Sequence, residues 1–101
     1  MLDKYTIKLL SKAIRDIDEI YAYIAAQLNN QGAASDLADQ IEGAIFSLET
    51  MPFRGAKRRI GAYAKKGFRQ LFVKDFIIIY RVDHIKKHVI IVTVRHMKSM
   101  I

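Results

Sequence analysis

The second half of this 101-residue chain concentrates cationic and aromatic side chains: Arg54, Lys57, Arg58, Arg59, Tyr63, Lys65, Lys66, Arg69, Arg81, Arg95, His96 and Lys98. Guanidinium and ammonium groups at this density hold phosphates or carboxylates. The two halves differ sharply in charge. From Met1 to Met51, four Lys/Arg stand against eight Asp/Glu, a net of −4; from Pro52 to Ile101, thirteen stand against two, a net of +11; together they give the overall +7. A half-chain this basic attracts polyanions, so the expected partner carries phosphates or an acidic protein segment. A merely lopsided, solvated surface is the alternative.

Other chemistries find little support. The chain has no cysteine, which excludes disulfides, thiolate catalysis and thiolate metal sites. There is no Gly-rich phosphate loop followed by Lys-Ser/Thr, no HExxH and no GxSxG. His84 and His88 fall at an expected surface turn, and the acids spread over outward helix faces rather than forming a carboxylate pair. Neither a metal nor another cofactor is expected. Met1 to Leu10 lacks the apolar run of a signal peptide. Phe76 to Tyr80, the longest apolar stretch, is far too short to span a bilayer. The expectation is a soluble cytoplasmic protein with no membrane partner.

The elements that position these residues follow from hydrophobic period. Tyr5 to Leu10 alternates as a half-buried strand, and Ser11 is placed to cap the helix that follows. Ile14, Ile17, Tyr21, Ile24 and Leu28 recur at helical spacing over about five turns. Asn29, Asn30 and Gly32 mark a turn. A second helix starts near Ala34, with Leu37, Ile41, Ile45 and Leu48 as its apolar stripe, and Pro52 stops it. Two helices so joined pack as a hairpin. Pro52 to Gly67 reads as a basic loop with a short strand near Lys57 to Ile60.

Three stretches then read as strands. Phe68 to Val73 alternates, with Arg69, Leu71 and Val73 on one face, and Lys74-Asp75 is a tight turn. Phe76 to Asp83 is the continuous β-branched and aromatic run of a central strand buried on both faces. After a turn at Asp83 to Lys87 comes Val89 to Arg95. Connections this short make the meander antiparallel. The whole is one α+β domain over residues 1–101: an N-terminal strand, a helical hairpin and a three- to four-stranded antiparallel sheet.

Strand alternation places Arg81 with Ile77 and Ile79, and Arg95 with Val89, Ile91 and Thr93. Arg69 lies within an apolar strand and needs a partner there; a helix carboxylate and a functional role are both open. Tyr80 is expected in the core with its hydroxyl satisfied locally. Tyr63 either stacks on a base or covers the helical hairpin.

The ordered series Asp16-Ile-Asp-Glu-Ile-Tyr-Ala-Tyr-Ile24, Ala44-Ile-Phe-Ser-Leu48, Met51-Pro-Phe-Arg-Gly55, Gly67-Phe-Arg-Gln-Leu71, Ile77-Ile-Ile-Tyr-Arg-Val82 and Arg95-His96-Met97-Lys98 resembles the RelE/ParE superfamily of type II toxin–antitoxin toxins over nearly the whole chain. The resemblance implies a cognate antitoxin whose acidic or amphipathic segment covers the basic groove. It implies one of two activities. The first is ribosome-dependent, metal-independent mRNA cleavage, with Arg69 stabilising the phosphate, His96 moving protons and Arg95 assisting. In that case Lys57, Arg58, Arg59, Lys65, Lys66, Arg81 and Lys98 grip RNA. The second is inhibition of DNA gyrase without nuclease chemistry. The basic loop and the Arg95-His96 pair rank the endonuclease first. A non-toxic nucleic-acid-binding domain is a third reading.

Overall fold

A computed structural model describes residues 4–28, 31–61, 63–64 and 66–100. The elements run β1 (Thr6–Leu9), α1 (Ser11–Leu28), α2 (Gln31–Ser47), β2 (Ala56–Lys57), β3 (Arg69–Val73), β4 (Phe76–Asp83) and β5 (His88–His96), followed by a 3₁₀ turn at Met97–Met100. The strands form one sheet in the order β1-β5-β4-β3-β2. The expected meander from β2 to β5 is antiparallel throughout. The N-terminal strand joins it parallel, against β5, so the five-stranded sheet is mixed. No described helix is long and apolar enough to cross a membrane.

β4 is the strand around which the fold closes. Phe76, Ile78 and Tyr80 point toward the helices and join Ile41, Ile45, Leu48, Val89, Ile91 and Val94 in the core. Ile77 and Ile79 point the other way and are equally buried, at 4% and 0% exposure. Each such side chain contributes roughly 2 kcal/mol on burial. The second face is covered by the chain between β2 and β3. Arg58 from this segment donates to Gln70 Oε1 at 2.6 Å, and Tyr63 packs edge-on to Phe68 at 4.9 Å between ring centroids.

Several local expectations shift. The Ile14 amide donates to the Leu10 carbonyl, so Leu10 is the residue before the helix and Ser11 lies inside it. The buried side of α1 is Ala13, Ile17 and Ile20; Ile14 and Tyr21, expected in the apolar stripe, are 49% and 39% exposed. The helix is rotated because Asp16, expected to face out, turns in toward β5. α2 starts at Gln31 and so includes Gly32, while Asn29 and Asn30 lie outside the described residues. The stripe expected for α2 is the one that packs on the core. Its helical hydrogen bonds tighten to i→i+3 at Leu48 and Glu49 before Pro52.

Two features lock the loop that leaves α2. The buried Tyr80 hydroxyl accepts the Gly55 amide at 2.9 Å, which meets the expectation of a locally satisfied core tyrosine. Burial, opposed by that bond and by Arg69 and Arg54, raises the Tyr80 pKa, so the hydroxyl stays protonated. Gly55 is here because nothing larger fits: an added Cβ would stand 2.5 Å from both the Gln70 carbonyl oxygen and the Tyr80 hydroxyl. The Lys74 turn adopts φ 54°, a left-handed conformation uncommon for lysine.

Gly55→Ala is expected to lower stability by about 3 kcal/mol, since backbone on one side and a packed ring on the other must both give way. Urea unfolding monitored by circular dichroism measures this; an unchanged midpoint would mean that the loop is not pinned as described. Tyr80→Phe, which leaves the Gly55 amide buried without its acceptor, should cost about 1–3 kcal/mol.

Candidate functional site

A β-bulge decides where the C-terminal cations point. The partners of β4 step from Thr93 to Ile91 between Ile79 and Tyr80, so β5 carries one extra residue at Val92. Alternation is reset there. Arg95 pairs with Ile77 and His96 with Phe76. Arg95 is therefore on the face opposite Val89 and Ile91, not with them as simple alternation predicts. Its guanidinium lies over the Tyr63 ring at 5.8 Å. Tyr63 thus packs on the sheet face away from the hairpin, half-buried, with Phe68 edge-on and Arg95 over its ring.

His96 is on the helix side of the sheet, edge-on to Phe76 at 5.2 Å. Its Nδ1 accepts the Lys98 amide at 3.0 Å, which puts the proton of the neutral ring on Nε2. His96 lines a cleft of about 1130 Å³ between α1 and the free edge of β5, with Lys12, Asp16, Tyr23 and Lys98. The cleft exists because β5 outruns β1. Their pairing stops at Leu9–Ile91, leaving Val92 to His96 without a strand on the side away from β4. Asp16 takes over as acceptor. Its carboxylate receives the Val94 amide at 3.2 Å and the Thr93 hydroxyl, and Lys12 closes the group with an ion pair at 3.0 Å. Burial pushes the Asp16 pKa up, but the bonds from Thr93, Lys12 and Val94 outweigh it and leave a net lowering.

Of the two surroundings left open for Arg69, the helix carboxylate is not the one found among the described residues. Its register partner is Tyr80, on the helix side. Nη1 donates to the Gly55 carbonyl at 2.7 Å and the Phe53 carbonyl at 3.4 Å, and the guanidinium lies over the Phe53 ring at 5.0 Å. Among the described residues it meets no carboxylate. These contacts fasten the Met51 to Gly55 segment to the sheet.

The three candidate catalytic residues are brought together only in part: Arg95 and His96 both border the cleft along β5, and Arg69 does not. Arg69 and His96 share a face, but their register partners Tyr80 and Phe76 are four residues apart on β4, about 13 Å. Arg95 has its register partner on the other face and its guanidinium over Tyr63, while it still borders the His96 cleft at the sheet edge. The candidate RNA-binding residues divide as well. Arg58 is buried at 4% exposure, and burial followed by the nearby Arg95 charge lowers its pKa. Lys57, Arg59 and Arg58 line a second groove, over the face away from the helices. Arg81 points to that same face and is exposed, as alternation predicts. Lys66 and Lys98 are exposed. Lys65 lies outside the described residues. Among the described residues no group of three or more His, Asp or Glu is placed to hold a metal ion. The residue that sequence reasoning missed is Asp16. Its signal was present: an acid four residues after Lys12, on the turn between Ala13 and Ile20.

The family described as ParE toxin of type II toxin–antitoxin system, parDE, matches residues 7–101. Among solved structures, the chain is similar to the chromosomal ParDE toxin–antitoxin system from P. aeruginosa, with a TM-score of 0.75 and 23% identity over 93% of this chain and 97% of that one. It is also similar to the toxin–antitoxin complex RelBE2 from Mycobacterium tuberculosis, with a TM-score of 0.64 and 23% identity over 95% and 94% of the two chains. At these identities the likeness is one of fold. No curated protein matches.

The Asp16 clasp predicts a pH signature. A carboxylate whose folded pKa is lowered contributes stability that is complete above its unfolded pKa, about 4, and is lost as pH falls through the lower folded value. Asp16→Ala should therefore be less stable than the parent at neutral pH, and the gap should close progressively below about pH 4. Denaturant titrations at stepped pH measure it. A gap independent of pH would show that the Asp16 charge has no part in the clasp.

Proposed function

Because the chain belongs to the ParE toxin family of type II toxin–antitoxin systems, we propose that it arrests growth by binding DNA gyrase, without nuclease chemistry, and that a cognate antitoxin holds it inactive in the cytoplasm. The observation that carries this reading is that Arg69 lies outside the cleft that His96 and Arg95 border, with register partners about 13 Å apart along β4 for Arg69 and His96. Metal-free cleavage of a phosphodiester needs the proton-moving group and the charge-stabilising group around one phosphate. Arg69, moreover, has its guanidinium on the Phe53 and Gly55 carbonyls, a holding role. A toxin that works by occupying its target requires only a stable surface.

This reverses the order that the residue types alone favour, in which ribosome-dependent mRNA cleavage comes first. The antitoxin follows from the same family, and the +11 charge of the second half suits a partner segment rich in Asp and Glu. Neither activity calls on a cofactor.

Expression of the protein alone, with labelled thymidine and labelled amino acids followed in parallel, separates the two activities. DNA synthesis is expected to fall first. The purified protein should inhibit gyrase supercoiling and leave a reporter mRNA intact in a translating extract. An early collapse of protein synthesis with mRNA cleavage, and no effect on supercoiling, would restore the endonuclease reading. Normal growth would remove both.

A further inference from the structure

Two turns meet at the end of the sheet where β5 begins: residues 48–55, which leave α2, and residues 84–87, which join β4 to β5. The start of β1 laces them together. The Tyr5 amide donates to the Glu49 carbonyl and the Thr6 amide to the Lys87 carbonyl, each at 2.8 Å. The Tyr5 ring repeats the link, edge-on to Phe53 at 6.5 Å and beneath the Lys87 ammonium at 5.2 Å. Each turn is also held on its own. Arg69 grips the Phe53 and Gly55 carbonyls of the first. In the second, Asp83 Oδ1 accepts the Lys86 amide at 3.0 Å and Lys87 takes φ 59°.

This fixed rim carries apolar side chains that the core does not use. Met51 is 53% exposed, Phe53 51% and Ile85 83%. Turns are ordinarily built from Gly, Asn, Asp, Pro and Ser, so an isoleucine on a hairpin tip gives the turn nothing. Exposed apolar side chains grouped inside a polar border mark an interaction site. The border here is cationic, with Arg54, Lys86 and Lys87 exposed. The carboxylates at these turns are already engaged, Glu49 with Lys4 at 3.9 Å and Asp83 with the Lys86 amide. None of these residues lines either groove.

We propose that this rim is the surface by which the chain binds its target protein, with Ile85, Met51 and Phe53 entering an apolar site that carboxylates border. The proposal rests on the reading of that target as gyrase. Met, Phe and Arg are side chains that protein interfaces concentrate, and anchors already fixed in place lose little freedom on docking. A second copy of the chain is a poor occupant, because a twofold contact would set the cations of the rim against themselves. A lipid surface is a poor one too, since one isoleucine tip beside two lysines gives only a weak hold. A partner rich in carboxylates around an apolar centre meets both features at once.

Binding of the full chain to immobilised gyrase, measured by interferometry alongside inhibition of supercoiling, tests the assignment. Ile85→Ser and Met51→Ser are each expected to weaken binding about tenfold, and Ile85→Val to stay within about twofold of the parent. Arg54→Glu should weaken binding severalfold and make it less sensitive to salt. Phe72→Leu, an exposed position away from the rim, should bind as the parent does. Circular dichroism confirms that these exposed-site variants are folded. A parent that binds gyrase, with the Ile85, Met51 and Arg54 variants binding equally well, would overturn the proposal and leave the gyrase reading intact. A parent that neither binds nor inhibits gyrase would overturn both. Capture by phosphatidylglycerol vesicles, or dimerisation in sedimentation, that Ile85→Ser removes while gyrase binding persists would assign the rim to a lipid surface or to a second copy, and would likewise overturn the proposal.

Discussion

Burial of β4 on both faces is the constraint that shapes this molecule. A sheet with one wet face needs one covering layer; a central strand with Phe76, Ile78 and Tyr80 on one side and Ile77 and Ile79 on the other needs two. A chain of 101 residues has enough helix for only one. The hairpin of α1 and α2 covers the first face, and the loop between β2 and β3 covers the second. That loop is rich in cations, so covering an apolar face with it forces a division of its side chains. Tyr63 and the Arg58 guanidinium go inward, where Phe68, Gln70 and Arg95 receive them. Lys57, Arg59 and Lys66 remain outside. The cationic groove is thus a by-product of how the second face is closed.

The helical layer is held by a different device. Packing of apolar residues alone would not determine how α1 is rotated, because Ile14 and Tyr21 offer as plausible a stripe as Ala13 and Ile20. The open edge of β5 beyond β1 breaks that tie. An amide at a sheet edge with no strand beside it needs an acceptor, and Asp16 provides it for Val94 while Lys12 balances the charge. One carboxylate satisfies the edge, sets the helix rotation and leaves the cleft along β5. The same strand's bulge at Val92 resets the alternation, so Arg95 pairs on one face and His96 on the other, and the two meet only at the border of the cleft along β5.

How much of this was legible in the sequence depends on the range of the interaction involved. Periodicity revealed the two helices, the antiparallel run of strands, the doubly buried β4 and the core role of Tyr80, because each is a local pattern of apolar residues. The family resemblance likewise rested on ordered local segments. Features that depend on a distant partner did not show. The parallel pairing of β1 with β5 joins residues some eighty positions apart. The inward turn of Asp16 answers an unpaired amide on another strand. The bulge at Val92 has no glycine to announce it, and without it alternation assigns Arg95 to the wrong face. Arg69 was visible as an anomaly in an apolar strand, but its partners are backbone carbonyls, which carry no signature in side-chain type.

The uneven charge of the two halves acquires a physical meaning once the layers are in place. Sequence order and layer order coincide: the acid-rich half contributes the helices, and the base-rich half contributes most of the sheet and the loop that covers it. The apolar sheet between them keeps the two populations from neutralising one another. Two salt bridges among the described residues, Lys4–Glu49 and Lys12–Asp16, join opposite charges, and both lie within the acid-rich half. Such an arrangement forgoes the modest stability of surface pairs, which are worth under about 1 kcal/mol each. It preserves instead a one-sided positive field that orients an approaching polyanion before contact. The fold therefore presents its charge on the layer least committed to holding the helices, so that whatever binds there can be engaged without disturbing the Asp16 clasp or the core beneath β4.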